Sequence, residues 1–110
     1  MIMREWRAEI RRERRDEYVD YVRETGLASY RATPGNLGAA VAVRDLDAEH
    51  SEIVTISYWR SLEAIEAFAG TPVDTARYYP DDDDYLLTRP DKVAHYDVSG
   101  LEALEADDHA

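Results

Sequence analysis

The sequence predicts a single α+β domain of ferredoxin-like topology, with the order βαββαβ and a four-stranded antiparallel sheet. Three observations predict this fold class. The first segment alternates with a period of two, two amphipathic helical stretches are each followed by strand-like segments, and 110 residues suffice for one hydrophobic core. This order of elements is the split βαβ arrangement, in which both helices cover the same face of the sheet.

The first half of the chain predicts a strand, a helix and the start of a hairpin. Residues 2–8 alternate as a strand requires, and residues 11–25 place apolar side chains at helical spacing. Gly26 stands where a left-handed C-cap would end this helix. Residues 36–44 predict a strand with small side chains on one or both faces, because glycine and alanine dominate it. Residues 45–51 predict the hairpin connection.

The segment 52–59 is rich in β-branched and aromatic residues and is the clearest strand prediction in the chain. Its two faces differ in composition. We expect one face to meet the helices, namely Val54, Ile56 and Tyr58. The opposite, mixed face suits a pocket or a partner sheet, and it consists of Ile53, Thr55, Ser57 and Trp59.

The second half predicts a capped helix and a last short strand. Ser61 is a suitable N-cap and Gly70 a suitable end for a helix whose apolar stripe is Leu62, Ile65, Phe68 and Ala69. Pro72 and Pro80 each predict the start of a further short helix. Residues 93–98 predict the fourth strand. The domain therefore spans residues 1–99, and an acidic tail follows at 100–110.

Composition narrows the possible partners and compartments. The chain has 24 acidic and 13 basic residues, a formal net charge of -11, which repels nucleic acids and anionic membranes. It has no cysteine, so disulfides and thiolate sites are excluded, and its first residues give neither a signal peptide nor a membrane span. We expect a cytoplasmic protein with the acidic surface typical of halophilic adaptation.

An uncovered sheet face predicts self-association. A sheet covered on one side must present polar groups to water or bury its open face, and Trp6, Ile53 and Trp59 argue for burial. We therefore expect a homodimer that pairs through the open face.

Several strings carry a family resemblance. They are the strand end Ser57-Tyr58-Trp59 before the helix at 61–68, the closing Val93-Ala94-His95-Tyr96, and the strings at 30–36, 68–70 and 76–80. Over about residues 1–99 the chain resembles the antibiotic biosynthesis monooxygenase superfamily, in particular a subgroup of small bacterial and archaeal proteins. The resemblance implies a dimeric α/β barrel with the site between sheet and helices of each protomer.

The resemblance also implies a chemistry. Cofactor-independent oxygenation of a small planar phenol or quinol is the leading interpretation, with no bound cofactor. Haem degradation is an alternative, because Trp59 matches the tryptophan of those pockets. However, that pattern also needs an asparagine in the first strand, where Trp6 stands, and a histidine in or just past the second helix, and residues 61–79 contain none. His95 would then have to ligate the haem iron, in a different geometry from the one that the family uses.

The candidate catalytic base is His95, whose ordinary pKa suits proton removal from a phenol at neutral pH. A hydrogen-bonded structural histidine is the alternative. Trp59 and Trp6 could sandwich a planar substrate by offset stacking, or they could be buried in the dimer interface. His50 and His109 fall in a turn and in the tail, where we expect them to be solvated.

The remaining candidates follow from position. Asn36 could donate a hydrogen bond to a substrate carbonyl, or be a turn residue after Pro-Gly. Arg77 could stabilise a phenolate, with Tyr78 and Tyr79 beside it, or form an ion pair with one of residues 81–84.

Other features indicate no further chemistry. The aspartate run 81–84 lacks the spaced ligands and the glycine of a calcium loop, so it predicts a helix N-terminus on an acidic surface, and no metal site. Tyr30, Tyr58 and Tyr85 are interpreted as core-boundary packing. A rival hypothesis from another class is a dimeric module that binds a small molecule, or responds to stress, without catalysis.

Overall fold

The computed structural model describes residues 1–102 and contains one four-stranded antiparallel sheet with the strand order β2-β3-β1-β4. The strands are β1 (Ile2–Arg11), β2 (Asn36–Asp45), β3 (His50–Trp59) and β4 (Ala94–Asp97). Helical segments connect β1 to β2 and β3 to β4, so the predicted α+β ferredoxin-like fold is confirmed. His109 and most of the predicted tail lie outside the described residues.

The connection between β1 and β2 is helical over a longer stretch than predicted. It consists of a 3-10 turn (Arg12–Arg14), α1 (Arg15–Val22), a π-helical turn (Arg23–Leu27) and α2 (Ala28–Ala32). We refer to residues 12–32 together as the first helical segment. The prediction that Gly26 ends the helix was wrong, because Gly26 lies buried inside the π turn.

The next helix is α3 (Leu62–Ala69), and its predicted caps are confirmed. The Ser61 hydroxyl accepts a hydrogen bond from the Ala64 N–H at 3.2 Å, and Gly70 follows with a φ of 82°. Gly35, which has a φ of 93°, comes so close that an added Cβ would lie 2.5 Å from the Ala64 Cβ. Only glycine allows the turn before β2 to approach α3 so closely.

The face assignment of β3 was wrong by one residue. Ile53, Thr55, Ser57 and Trp59, with Ser51, are buried under the helices, whereas Val54, Ile56 and Tyr58 point to the open face. On β1 the residues paired opposite the buried set are Arg4, Trp6, Ala8 and Ile10, so they also face the helices. A shift of one residue moves a whole set of side chains across the sheet. Trp6, Ile53 and Trp59, from which a dimer through the open face was predicted, therefore lie on the covered face instead.

The chain between α3 and β4 is mostly irregular. The helix predicted after Pro72 does not form, whereas the aspartates after Pro80 form a 3-10 turn at Asp82–Asp84. Single bridges pair Thr75 with Lys92 and Ile10 with Leu86. The irregular residues thus lie against the edge of the sheet near β4, where they close one side of the core.

The core has two parts. The Trp59 cluster contains Tyr30, Trp59, Ile65 and Phe68. The Trp6 cluster contains Trp6, Ala8, Ile10, Tyr18, Val22 and Ile53. The first is built between α2, β3 and α3, and the second between α1 and the central strands, so the two parts share one side of the sheet.

The open face of the sheet has an apolar centre with charges beside it. Met3, Val54, Ile56 and Tyr58 are half-buried there. Beside them Glu52 accepts from both Arg7, at 2.7 Å, and Arg44, at 2.9 Å. Among residues 1–102, no helix has both the length and the apolar character needed to cross a bilayer.

Candidate active site

A cavity lies between the first helical segment and the covered face of the sheet. Arg4, Trp6 and Thr55 line it from the strands. The helical side consists of Tyr18, Val22, Thr25, Gly26 and Tyr30, and the third side of Phe68, Arg77, Tyr79, Asp82 and Val93. The cavity therefore lies beside the Trp59 cluster and is bordered by parts of both clusters.

The helical wall results from a four-residue repeat. Tyr18, Val22, Gly26 and Tyr30 are all buried, and each is four positions after the last. An α-helix needs 3.6 residues per turn, so a strict four-residue repeat drifts off the face. The π turn is wider and compensates for this drift, which keeps Gly26 and Tyr30 over the cavity.

Arg4 is the most unusual group in the cavity wall, because it is only 2% exposed. Its Nη1 donates to the carbonyl of Val73 and its Nη2 to the carbonyl of Thr75, both at 2.8 Å. Burial lowers its pKa from the ordinary value. The guanidinium therefore fixes the irregular chain after α3 to the first strand.

Asp82 brings a carboxyl group to the same cavity, and it is 5% exposed. The Tyr18 hydroxyl donates to its Oδ1 at 2.8 Å, and the Tyr79 N–H donates to its Oδ2 at 2.6 Å. Burial raises the pKa of Asp82, although these two hydrogen bonds oppose the shift. Burial and the neighbouring Asp82 also raise the pKa of Tyr18, so its phenol stays protonated.

Arg77 and Tyr79 form the outer wall. The Arg77 guanidinium lies 4.8 Å from the centre of the Phe68 ring and 5.3 Å from that of Tyr79, and its Nη1 donates to the Phe68 carbonyl at 3.0 Å. Arg77 is exposed, so the cavity opens to solvent beside it. Among the described residues, Arg77 makes none of the ion pairs considered with 81–84.

The cavity is narrow, with a volume of about 30 Å³. One water needs roughly 10–15 Å³. A substrate ring therefore needs a wider cavity than this one.

The structure brings together some of the predicted site residues. Trp6, Arg77 and Tyr79 line the cavity. Tyr78 lies behind Trp6: the Trp6 Nε1 donates to the Tyr78 hydroxyl at 3.2 Å, and that hydroxyl donates to the Pro90 carbonyl. Trp59, Asn36 and His95 lie outside the cavity wall.

Trp59 and Asn36 lie apart from the cavity. Trp59 is fully buried in its cluster, and its Nε1 donates to the Ser57 hydroxyl at 2.8 Å. Asn36 begins β2 opposite Trp59, and its amide makes long contacts of 3.4 Å to the Tyr58 carbonyl and 3.5 Å to the Gly38 carbonyl. This geometry matches the turn-residue interpretation of Asn36.

His95 lies behind Arg4. The two residues pair across β1 and β4, and the His95 Nε2 is 3.1 Å from the Arg4 Nη1. Burial and the positive charge of Arg4 lower the pKa of His95, which Asp74 partly counters. His95 therefore touches the cavity only through Arg4.

Among the charged residues of this site, Arg4 and Asp82 were not predicted. The signal for Arg4 was present in the sequence, since it shares a strand face with Ile2, Trp6 and Ala8. Asp82 had no comparable signal, because it is the second of four consecutive aspartates. Within residues 1–102, no three His, Asp or Glu side chains come together as a metal would require.

Comparisons with known proteins agree with this fold. The family model for antibiotic biosynthesis monooxygenase matches residues 1–74. The crystal structure of a candidate antibiotic biosynthesis monooxygenase from Bacillus cereus is similar, with a TM-score of 0.61 and 19% identity over 94% of this chain and 97% of that chain. At this identity the likeness concerns the fold alone. No protein of curated function matches the sequence.

Proposed function

Because the chain belongs to the antibiotic biosynthesis monooxygenase family, we propose that it oxygenates a small planar phenol or quinol in the cavity beneath the first helical segment, without a bound metal or flavin. One observation carries this proposal. A buried carboxyl, Asp82, and two guanidiniums, Arg4 and Arg77, line the same aromatic-walled cavity. A proton acceptor and groups that stabilise an anion are what such chemistry needs.

Asp82 is the proposed proton acceptor. Each of its oxygens accepts one hydrogen bond from the protein, and a carboxylate has about four acceptor positions, so capacity remains for a substrate hydroxyl. Its raised pKa makes it a stronger base than an exposed aspartate. His95, the base suggested by the sequence, is less well placed because Arg4 stands between it and the cavity.

The reaction needs no external reductant. Removal of the phenol proton leaves an electron-rich anion, and a ring carbon of that anion donates electrons to O₂ and bonds to it. The peroxide anion formed in this way takes the proton back from Asp82, and the hydroperoxide then loses water, so that a phenol with a free ring position and O₂ give a quinone and water. Arg77 at the mouth and Arg4 inside would stabilise the anion electrostatically.

The walls suit a flat ring. Trp6, Tyr18, Phe68 and Tyr79 surround the cavity with aromatic surface, and offset or edge contacts with a substrate ring are favourable. Entry requires the outer wall to open, and its chain is irregular from residue 76 to 79. Such segments open at lower free-energy cost than strands of a central sheet.

Haem, the alternative cofactor, does not fit these residues. The His95 Nε2 lone pair points to the Arg4 Nη1, and a buried guanidinium beside it would repel a metal cation. A porphyrin is also far larger than the cavity described above. The competing function is that of a non-catalytic binding module, which would bind a small molecule in the same cavity without any reaction.

Oxygen uptake tests the proposal. Purified protein in high salt is mixed with naphthols and anthrones in air, and oxygen consumption and quinone formation are measured. We expect Asp82→Asn to lower kcat/KM by about 10²- to 10⁴-fold, the usual contribution of a positioned base. Asp83→Asn is the matched control, because Asp83 is exposed and pairs only with Arg89.

The competing function predicts a different result. A binding module would bind these aromatics without consuming oxygen, and Asp82→Asn would then change binding alone. Absence of uptake across the whole panel, with proven ligand binding, would overturn the monooxygenase proposal.

A further inference from the structure

The charge on Arg4 has no counter-charge in the described part of the chain. Its two terminal nitrogens contact neutral partners, the carbonyls of Val73 and Thr75 and the ring of His95. No carboxylate within residues 1–102 lies close enough to form an ion pair with it. Tyr30 and Asp74 are the acidic groups that influence its pKa. The Tyr30 hydroxyl is near Arg4 but leaves its Nε without a hydrogen bond, and Asp74 pairs with Lys92 at 3.5 Å. A buried cation is ordinarily paired, so this arrangement is unusual.

Two residues that line the cavity each carry a buried donor with no hydrogen-bond partner among the described residues. These donors are the Arg4 Nε and the Tyr79 hydroxyl, and no other buried side-chain nitrogen or oxygen among the described residues shares this condition. Ser29 is near the Tyr79 hydroxyl, but the geometry does not amount to a hydrogen bond. Burial raises the pKa of Tyr79, so its hydroxyl remains a donor at neutral pH.

A ligand that satisfies both groups must accept hydrogen bonds and carry negative charge. We infer that the substrate is a planar aromatic acid, whose anionic oxygen is bound between the Arg4 Nε and the Tyr79 hydroxyl while its ring lies against the aromatic walls. This inference rests on the proposed function for its site and adds the chemical class of the substrate. A charge-assisted contact of this kind is stronger than a neutral hydrogen bond.

His95 positions Arg4 in this subsite. Arginine can only donate, so the His95 Nε2 must accept and the ring must be neutral, with its proton on Nδ1. The charged groups that act on His95 are Arg4 on β1 and Asp74 in the connection after α3. Protonation of His95 would place two donors face to face and displace the guanidinium.

Arg4 also holds the chain at 73–75, so removing it would disturb the wall. The test therefore compares two ligands on the same protein. Hydroxynaphthoate and its neutral carboxamide have nearly the same shape, and their affinities are measured by calorimetry without oxygen. We expect the acid to bind about 10- to 100-fold more tightly than the amide.

Two variants locate the effect. Tyr79→Phe removes only the unpaired hydroxyl and should reduce the acid-to-amide ratio by about tenfold. Tyr96→Phe is its control, because Tyr96 is 47% exposed on β4 and does not line the cavity, and it should leave the ratio unchanged. A third readout is the pH profile: the ratio should fall in acid as His95 protonates, and His95→Gln, which keeps an acceptor, should remove that fall.

The outcomes separate this inference from the proposed function. Equal affinity of acid and amide, or a ratio that Tyr79→Phe does not change, would overturn the anionic subsite even if neutral phenols are oxygenated. Selective binding of the acid with no oxygen uptake in air would support the subsite and contradict the monooxygenase proposal.

Discussion

The two faces of the sheet differ in how they use polar residues. The covered face buries Arg4, Ser51, Thr55 and Ser57 among its aromatic side chains. The open face places its charges beside an apolar centre, as in the pairing of Arg7 with Glu52. Buried polar groups need hydrogen-bond partners, so the covered face requires a specific arrangement of donors and acceptors.

Most of the buried polar groups on the covered face have internal partners. Ser57 accepts from Trp59, and Thr55 shares a hydrogen bond of 3.3 Å with Tyr30. Around the cavity the exceptions are two buried atoms, the Arg4 Nε on this face and the Tyr79 hydroxyl in the irregular chain. The comparison indicates that the packed part of this face, at the Trp59 cluster, serves stability. The hollow part, where Arg4, Trp6 and Thr55 line the cavity, is free to bind a ligand.

The largest effect is expected at the packed part. Trp59→Ala removes a fully buried indole from between Tyr30 and Phe68, and it should lower the free energy of unfolding by about 3–5 kcal/mol. Urea unfolding measures the change. Leu62→Ala is the control in the adjoining helix, because Leu62 is 44% exposed, and it should cost about 0.5 kcal/mol or less. Similar losses in both variants would contradict the division of this face into a packed and a hollow part.

The open face tests the predicted homodimer. Ile56 lies in its apolar centre, so Ile56→Glu would bury an unpaired charge if two copies pair there. We expect dimer affinity to fall by about 100-fold or more, while the monomer stays folded. Sedimentation at several concentrations measures this. Leu62→Glu, at an exposed position on α3 and so on the other side of the sheet, is the control. A wild-type monomer at all concentrations would contradict the prediction.

The elements of the fold could be predicted, but the face of the sheet that the helices cover could not. Both faces of β3 carry apolar residues, so alternation alone does not say which of them meets the helices. Ser57 and Thr55 look like surface residues in the sequence, and they are buried with hydrogen bonds to Trp59, on the same strand, and to Tyr30, on α2. The Tyr30 partner meets Thr55 only after the chain has folded.

The candidate site could be predicted only in part for the same reason. Arg77 and Tyr79 were found because the family resemblance marks that part of the chain. Asp82 became distinctive only through contact with Tyr18, which is 64 positions away in the sequence. Gly26 was interpreted as a helix end, because no periodicity rule anticipates a π turn.

Gly26 offers a smaller and sharper test of the hollow part. A Cβ there would meet only the Val22 Cγ1 at 3.9 Å, an ordinary contact. Gly26→Ala should therefore raise stability by about 0.5–1 kcal/mol and leave the site open. Gly26→Leu places a larger group in the cavity and should weaken binding of hydroxynaphthoate by about tenfold. Calorimetry and thermal unfolding together distinguish the two. Unchanged binding in Gly26→Leu would show that the ligand lies elsewhere.

The smallest expected effect is a pH dependence of stability at the boundary of the hollow part. The pKa of His95 is lowered in the folded protein by burial and by Arg4. The unfolded chain therefore binds the proton more readily, and stability falls as pH decreases from about 6.5 through the lower folded value. His95→Gln should remove this loss between neutral and mildly acidic pH.

Asp82 changes the pH dependence of stability in the opposite direction to His95. Its raised pKa means that the folded state holds the proton more firmly, so stability rises as pH decreases through that pKa toward about 3.8. Asp82→Asn should remove this gain and leave the His95 effect intact. Urea unfolding of both variants across this range separates the two groups. If His95→Gln retains the full acidic loss of stability, His95 is not the neutral acceptor that holds Arg4.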